Sequence, residues 1–312
     1  MTEFKNRVFG CAVVKAINSN YNADFSGQPR TLPNGIVYAT DKAFKYVIKK
    51  YLKDVYPSEK IMNMKRLKTE FSPLDLAETY EQLFNTKVSA DDPKKIANNL
   101  LSCIDIRFFG ATFAPKGADI KDKNVSIHGP VQINHGVNIW KENNIYTEQI
   151  LSPFRNPGEE NSKDKQATTL GRQSKLEEGH YLHHFSINPN NLNDIIAISV
   201  SNQMLKVDDI NKLKEGMSRG ATYYDSASKA GCENELLVWV QLKEGSKIVL
   251  PNFITLIKLL PEKQDDKYVY DFEKFTEKLN EFNDDIELIE IYSNKQNVIC
   301  KNLPKNSSEK DI

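Results

Sequence analysis

The chain has 312 residues, with 42 basic and 42 acidic side chains and zero formal net charge. Hydrophobic residues make up 39% and charged residues 27%, enough to build one large globular domain with insertions but with no cationic excess; nucleic acid binding would need a local patch. No apolar run reaches the length of a membrane span, and no long apolar segment follows the first charges, so neither a spanning helix nor a secretory signal is expected.

The first element is an apolar run over residues 7–16, read as a buried strand. It ends in Asn18-Ser19-Asn20-Tyr21-Asn22, a stretch dense in side-chain amides and turn formers, and a long loop runs on to Gly35. Helical spacing of Ala43, Phe44, Val47, Ile48, Tyr51 and Leu52 predicts a helix capped at Thr40, with lysines over its outer surface. Residues 60–70 are basic and irregular. Pro73 and Pro93 open two short helices that, with their flanks, form a helical insertion over about residues 58–102.

Residues 103–113 and 125–133 read as strands or strand edges. The texture turns polar and loop-like between Asn138 and Gly179, which is long for a simple connection and suggests a functional projection. Tyr181–Ile187 and Ile195–Val200 return to the core. An amphipathic helix follows over Asp208–Met217, then strands at Leu236–Leu242 and Lys247–Leu250. Asp271 caps a last helix carrying Phe272, Phe275, Leu279 and Phe282, and Ile286–Tyr292 is the final strand. Residues 301–312 are polar and read as a flexible tail. The sum is an α+β, ferredoxin-like domain over residues 1–300.

Signals of catalysis are sparse. HExxH, GxSxG and the glycine-loop lysine of nucleotide binders are absent, and Asp105 and Asp119 have no carboxylate partner at useful spacing. His180, His183 and His184 cluster in sequence without a fourth ligand, and strand alternation would send His183 and His184 to opposite faces. Cys11, Cys103, Cys232 and Cys300 are far apart, which predicts reduced, mostly buried thiols in a cytoplasmic protein. No metal or cofactor is expected.

A single-stranded nucleic acid needs cations for phosphates, flat groups for bases and amides or hydroxyls for edges and sugars. Three regions carry that mixture. They are Asn18–Asn22, Arg107 with Phe108 and Phe109, and the small-residue segment Ser218–Gly231 with Arg219, Tyr223, Tyr224, Ser228 and Lys229. Phenylalanines at 108 and 109 are more often core residues than base platforms, and an Asn-rich turn is often only a turn.

These same residues carry a family resemblance. Asn18-Ser19-Asn20-Tyr21-Asn22, Asp105-Ile106-Arg107-Phe108-Phe109-Gly110, Gly129-Pro130-Val131-Gln132 and the Gly220–Gly231 segment, in that order, resemble the repeated backbone subunit of the CRISPR-associated Cascade complex, in its subtype I-B form. The resemblance implies an RRM-like palm with helical fingers at about 58–102 and a polar thumb-like loop at about 141–179. Copies of such a subunit stack head to tail along a CRISPR guide RNA, with other Cascade subunits, and present the guide for pairing with target DNA. The chain departs from the family in the first loop, where Asp24 stands beyond the asparagines, and in the weak signature of residues 150–155.

The leading reading is therefore a non-catalytic guide-RNA scaffold, with no membrane partner. Its candidate RNA-binding residues are Asn18, Asn20, Asn22, Arg107, Gln132, Phe154, Arg155, Arg219, Ser228 and Lys229, with Arg107, Arg219 and Lys229 as phosphate contacts. The alternative is a metal-independent endoribonuclease processing precursor CRISPR RNA, using His128 or His135 as base. A third is a structural protein that assembles without nucleic acid.

Overall fold

The computed structural model describes residues 2–117, 120, 122–151 and 170–312. In chain order the elements are β1 (Val8–Ser19), β2 (Tyr38–Ala39), α1 (Asp41–Val55), α2 (Leu76–Phe84), α3 (Pro93–Leu101), α4 (Ile104–Phe109), β3 (Gly110–Phe113), β4 (Val125–His128), β5 (Val131–Ile133), β6 (Gly136–Asn138) and β7 (Ile145–Leu151). There follow β8 (Leu170–Ile187), α5 (Asn193–Ser199), α6 (Val207–Tyr223), β9 (Cys232–Leu242), β10 (Lys258–Leu259), β11 (Tyr268–Asp271), α7 (Glu273–Asn280), β12 (Ile286–Ser293), β13 (Val298–Lys301) and β14 (Ser307–Asp311).

The apolar run at the start becomes β1, central in a sheet ordered β14-β12-β9-β1-β8-β6-β2. Its residues are buried on both sides, which is why they read as continuous rather than alternating. Val8, Ala12, Val14 and Ala16 join one core with α1 and α6. Phe9, Cys11 and Val13 join a second core, where α7 and the small sheet β10-β11-β13 cover the opposite face.

Helix α1 is entered as its sequence predicts: the Thr40 hydroxyl accepts from the Ala43 N–H, and Phe44, Val47, Ile48, Tyr51 and Leu52 are buried. Helix α6 lies against it through Gly216 and Gly220. A Cβ on Gly220 would stand 2.9 Å from the Val47 carbonyl oxygen, so the absent side chain there serves a helix crossing. The helix expected to end at Met217 runs on to Tyr223, so the first part of the Ser218–Gly231 segment is helical.

A third core gathers the helical insertion. Tyr80, Ile96, Ala97, Leu100 and Leu101 from α2 and α3 pack with Ile106, Phe113 and Ile127. The predicted strand over 103–113 is instead α4 followed by β3. Ile104, Ile106 and Phe108 alternate as a strand would, but Asp105 and Arg107 between them are buried too. The Asp105 carboxylate accepts from the Met62 and Asn63 N–H groups, both at 2.8 Å, so it stitches α4 to the insertion. Burial pushes its pKa up against those bonds.

The two sequence motifs around residues 105–111 and 126–133 meet at a backbone crossing. Gly110 sits at φ +68°, and a Cβ on it would lie 2.1 Å from the Ile127 carbonyl oxygen. A Cβ on Gly129 would lie 2.1 Å from the Phe109 carbonyl carbon. Both positions need glycine because two chains approach there.

Three further expectations change. Residues 195–200 form α5 and its exit rather than core strand, with Ile198 and Val200 exposed. Residues 247–250 carry no strand. The tail is not loose: β14 pairs in parallel with β12, Ile289 opposite Ser307 through Ser293 opposite Asp311. Backbone pairing and a Lys310–Glu290 ion pair hold it, and neither needs apolar side chains.

Candidate nucleic-acid interface

The polar stretch expected as a projecting loop is, where described, a β-ribbon. β7 runs antiparallel to β8 from Ile145 opposite Leu176 to Leu151 opposite Leu170. Alternation gives the ribbon two faces. Tyr146, Glu148, Gln173 and Lys175 share one, while Thr147, Arg172 and Ser174 share the other. The root of this ribbon meets the end of β1, the loop after it, and the 224–231 loop.

Each neighbour is fixed by specific bonds. Asn18 takes a left-handed φ of +46°, a conformation that asparagine tolerates, and its exposed amide oxygen accepts from the Tyr146 hydroxyl at 3.1 Å. The buried Asn20 amide donates to the Gly27 and Ser174 carbonyls, both at 3.1 Å. Its backbone N–H donates to the Ser228 carbonyl at 2.7 Å. Asn22 accepts from the Thr40 N–H at 2.9 Å and from the Thr40 hydroxyl at 3.0 Å, tying the loop to the start of α1. The Lys229 ammonium donates to the Tyr21 carbonyl and lies 5.5 Å from the Tyr21 ring centroid. Burial lowers its pKa. The Gln173 amide reaches the Ala227 carbonyl at 3.4 Å, closing the ribbon against the 224–231 loop.

The structure thus brings together Asn18, Asn20, Asn22, Ser228 and Lys229. Asn20 is nevertheless a brace, with an amide oxygen that is buried and unpartnered. Arg219 does not join them: it is exposed on α6 and lines a separate cleft with Lys214, Glu290, Tyr292 and Lys310. Gln132 is exposed on β5, with its amide donating to the Gly129 carbonyl at 2.7 Å. It pairs with Ser186 of β8, twelve residues from Ser174, and so lies roughly 40 Å along the strand. Phe154 and Arg155 lie outside the described residues.

Arg107 is a correction. It is buried, with Nε and Nη2 donating to the two carboxylate oxygens of Asp209 at 3.1 and 2.8 Å. Nη1 donates to the Leu101 and Ser102 carbonyls, both at 3.0 Å. Such a guanidinium is used up within the fold, locking the insertion to α6, and is no free phosphate contact. Ribbon residues Tyr146, Arg172, Gln173 and Lys175 were missed from sequence. Residues 145–151 show no alternation of apolar and polar side chains, so their polar composition reads as loop and leaves the ribbon invisible in the sequence.

The histidines divide as alternation predicts. His183 packs on Phe44 in the helix-side core, and burial holds its pKa down at about 4. His184 faces the other way, accepts from the Phe253 N–H at 3.3 Å, and burial holds it at about 4 as well. His180 is buried between Glu235, at 2.5 Å, and Glu178, at 3.3 Å. His128 and His135 stand apart, beside Asn191 and the Asp41 N–H respectively. Among the described residues no group of three or more His, Cys, Asp or Glu could hold a metal ion, and no helix is long and apolar enough to cross a membrane.

The architecture defines a mixed α+β protein: a multi-stranded sheet of ferredoxin-like kind with helical insertions, and a ribbon whose root gathers amides, hydroxyls and cations. The chain belongs to the family of CRISPR-associated protein Cas7, which it matches over residues 6–280. Its fold is similar to a chain of a CRISPR RNA-guided surveillance complex, at 12% identity and a TM-score of 0.55, over 97% of this chain and 94% of that one. It is also similar to a chain of a CRISPR RNA-guided surveillance complex in a pre-nicking state, at 11% identity and a TM-score of 0.59, over 98% and 96%. No curated protein matches in sequence.

Proposed function

We propose that this chain is a non-catalytic backbone subunit of a CRISPR surveillance complex of the subtype I-B kind. It binds guide RNA in the cytoplasm, associates with other Cascade subunits, and presents the guide for pairing with target DNA. In this reading the large sheet with α1 and α6 is the palm, the insertion at about 58–102 the fingers, and the β7–β8 ribbon the base of the thumb. The carrying observation is the convergence of the Asn18–Asn22 stretch, the 224–231 loop and the ribbon root, each supplying polar groups suited to a sugar-phosphate strand.

Copies stack head to tail. Such contact is heterologous and need not close into a ring, so RNA length can set its extent. Exposed Phe71 on the insertion, Ile198 in α5 and Val200 just after it are apolar groups that a neighbouring copy would cover.

The test is a salt titration of RNA binding by the purified chain. Affinity should fall steeply as ionic strength rises. Lys229→Gln should weaken binding about equally across sequences and flatten the slope of log affinity against log salt by about one. Binding that ignores salt would refute the reading. Intact RNA after prolonged incubation is expected; cleavage would favour the ribonuclease alternative.

A further inference from the structure

The loop after β1 carries a phenylalanine that the fold holds out in water. Phe25 has a relative exposure of 106%, the highest among the described large hydrophobic residues. Its exposure is imposed by a tight turn. The Asp24 carboxylate accepts from the Ser26 N–H at 2.8 Å, the Ser26 hydroxyl at 2.8 Å and the Gln28 N–H at 2.9 Å. The Asp24 N–H donates to the Gln28 carbonyl at 2.8 Å, and Ala23 bridges to Pro29. Those bonds, the Ser26 hydroxyl first, hold the Asp24 carboxyl below its ordinary pKa. An apolar ring fixed in solvent forgoes the stabilisation that burial would supply.

A cation stands beside it. The Arg30 guanidinium carbon is 5.9 Å from the ring centroid, on one face, and the Arg30 Nε is buried with no hydrogen-bond partner. The turn is joined to the ribbon root: the Gln28 amide reaches the Thr147 hydroxyl at 3.4 Å, and Gly27 receives the Asn20 amide.

We propose that Phe25 and Arg30 form a stacking site for one unpaired base of a single-stranded nucleic acid. The ring offers its open face to the base, and the guanidinium answers the neighbouring phosphate. This rests on the reading of the ribbon root as a nucleic-acid interface. The surroundings favour a base over a protein partner. Ser26 and Gly27 are exposed beside the ring and Gln28 is half-exposed, so there is no apolar rim to exclude water around a protein contact. A base needs only a flat π-face.

Full-length protein would be titrated by fluorescence anisotropy with a short unstructured RNA and with single-stranded DNA of the same sequence. Phe25→Ala and Phe25→Leu are each expected to weaken binding about ten-fold in at least one arm, with Phe25→Trp close to wild type. The salt slope should stay unchanged, because no phosphate contact is removed. Loss in the RNA arm assigns the base to a guide strand, and loss only in the DNA arm to a target strand. An RNA carrying 5-iodouridine should photocross-link at Phe25. Since the ring is wholly exposed, thermal melts of the variants should match wild type.

Wild-type binding left intact by Phe25→Ala and Phe25→Leu in both arms would overturn the stacking site while leaving the interface standing. So would a variant that loses self-association in nucleic-acid-free sedimentation but keeps nucleic-acid affinity, which would assign the ring to a second copy. Absence of binding by wild type would overturn the interface itself and the stacking site with it.

Discussion

Replacing Arg107 by methionine distinguishes a structural arginine from an RNA contact. Arg107 is 4% exposed and its partner Asp209 is 2% exposed. The change removes both bonds to the carboxylate and both bonds to the Leu101 and Ser102 carbonyls. Asp209 keeps the Lys206 N–H, at 3.0 Å, but its charge loses its nearest counter-ion. Breaking a buried pair from one side destabilises by about 3–5 kcal/mol, because a charge is left without its partner. In a chain of this size that is a fall in Tm of roughly 5–8 °C. Removing both charges with Arg107→Met and Asp209→Leu should recover part of the loss, although the Lys206 cap goes with Asp209. The assay is thermal and urea unfolding of wild type, both single variants and the double, read as a cycle. RNA affinity of folded Arg107→Met, measured well below its Tm, should stay within about two-fold of wild type, since a phosphate contact would instead show in the salt slope. A stability loss below about 1 kcal/mol, or a flattened salt slope, would refute the structural assignment.

Stability depends on pH through the buried histidines. Burial opposes charge on His180, but Glu235 and Glu178 outweigh it and raise its pKa above the ordinary value. A raised folded pKa contributes stability that is full below the unfolded value near 6.5 and is lost as pH rises through the folded pKa. The stability difference between wild type and His180→Gln, from urea melts, should therefore shrink as pH climbs above about 6.5. His183 and His184 act oppositely: held at about 4, they stay neutral when folded but take up protons when unfolded, so stability falls as pH drops from about 6.5 towards 4. Gly129→Ala forces a Cβ against the Phe109 and Gly110 backbone and should destabilise by about 1–3 kcal/mol, checked by thermal melts. Truncation after Pro304 bares the edge of β12 and takes one of the two lysine partners from Glu290; a lower Tm and increased light scattering are expected.

Local pattern made much of the fold legible. The continuous apolar run of β1 marked a strand buried on both faces, and the 3.6-residue period of α1 marked both the helix and its buried face. The helical insertion followed from Pro93 and the apolar spacing after it. α4 was hidden because strand alternation and a short helix buried all round cannot be told apart when the intervening residues are themselves charged. Only the partners Met62, Asn63 and Asp209, distant in sequence, make burial of Asp105 and Arg107 tolerable. β14 was hidden for a related reason: an edge strand needs only backbone bonds, which composition does not record.

The site divides in the same way. The sequence by itself determined that Asn18–Asn22 and Ser228–Lys229 are polar groups at the ends of buried strands, because a chain leaving a core must turn and satisfy its own amides there. Only the tertiary structure decided that these two stretches meet, through the Asn20 N–H and the Ser228 carbonyl, and that the ribbon root joins them. It also set Gln132 at the far end of β8 and took Arg107 inside. A side chain's type fixes which bonds it can make. Which bonds it makes depends on what the fold brings within about 3 Å of it, and those groups lie scores of residues away in the chain.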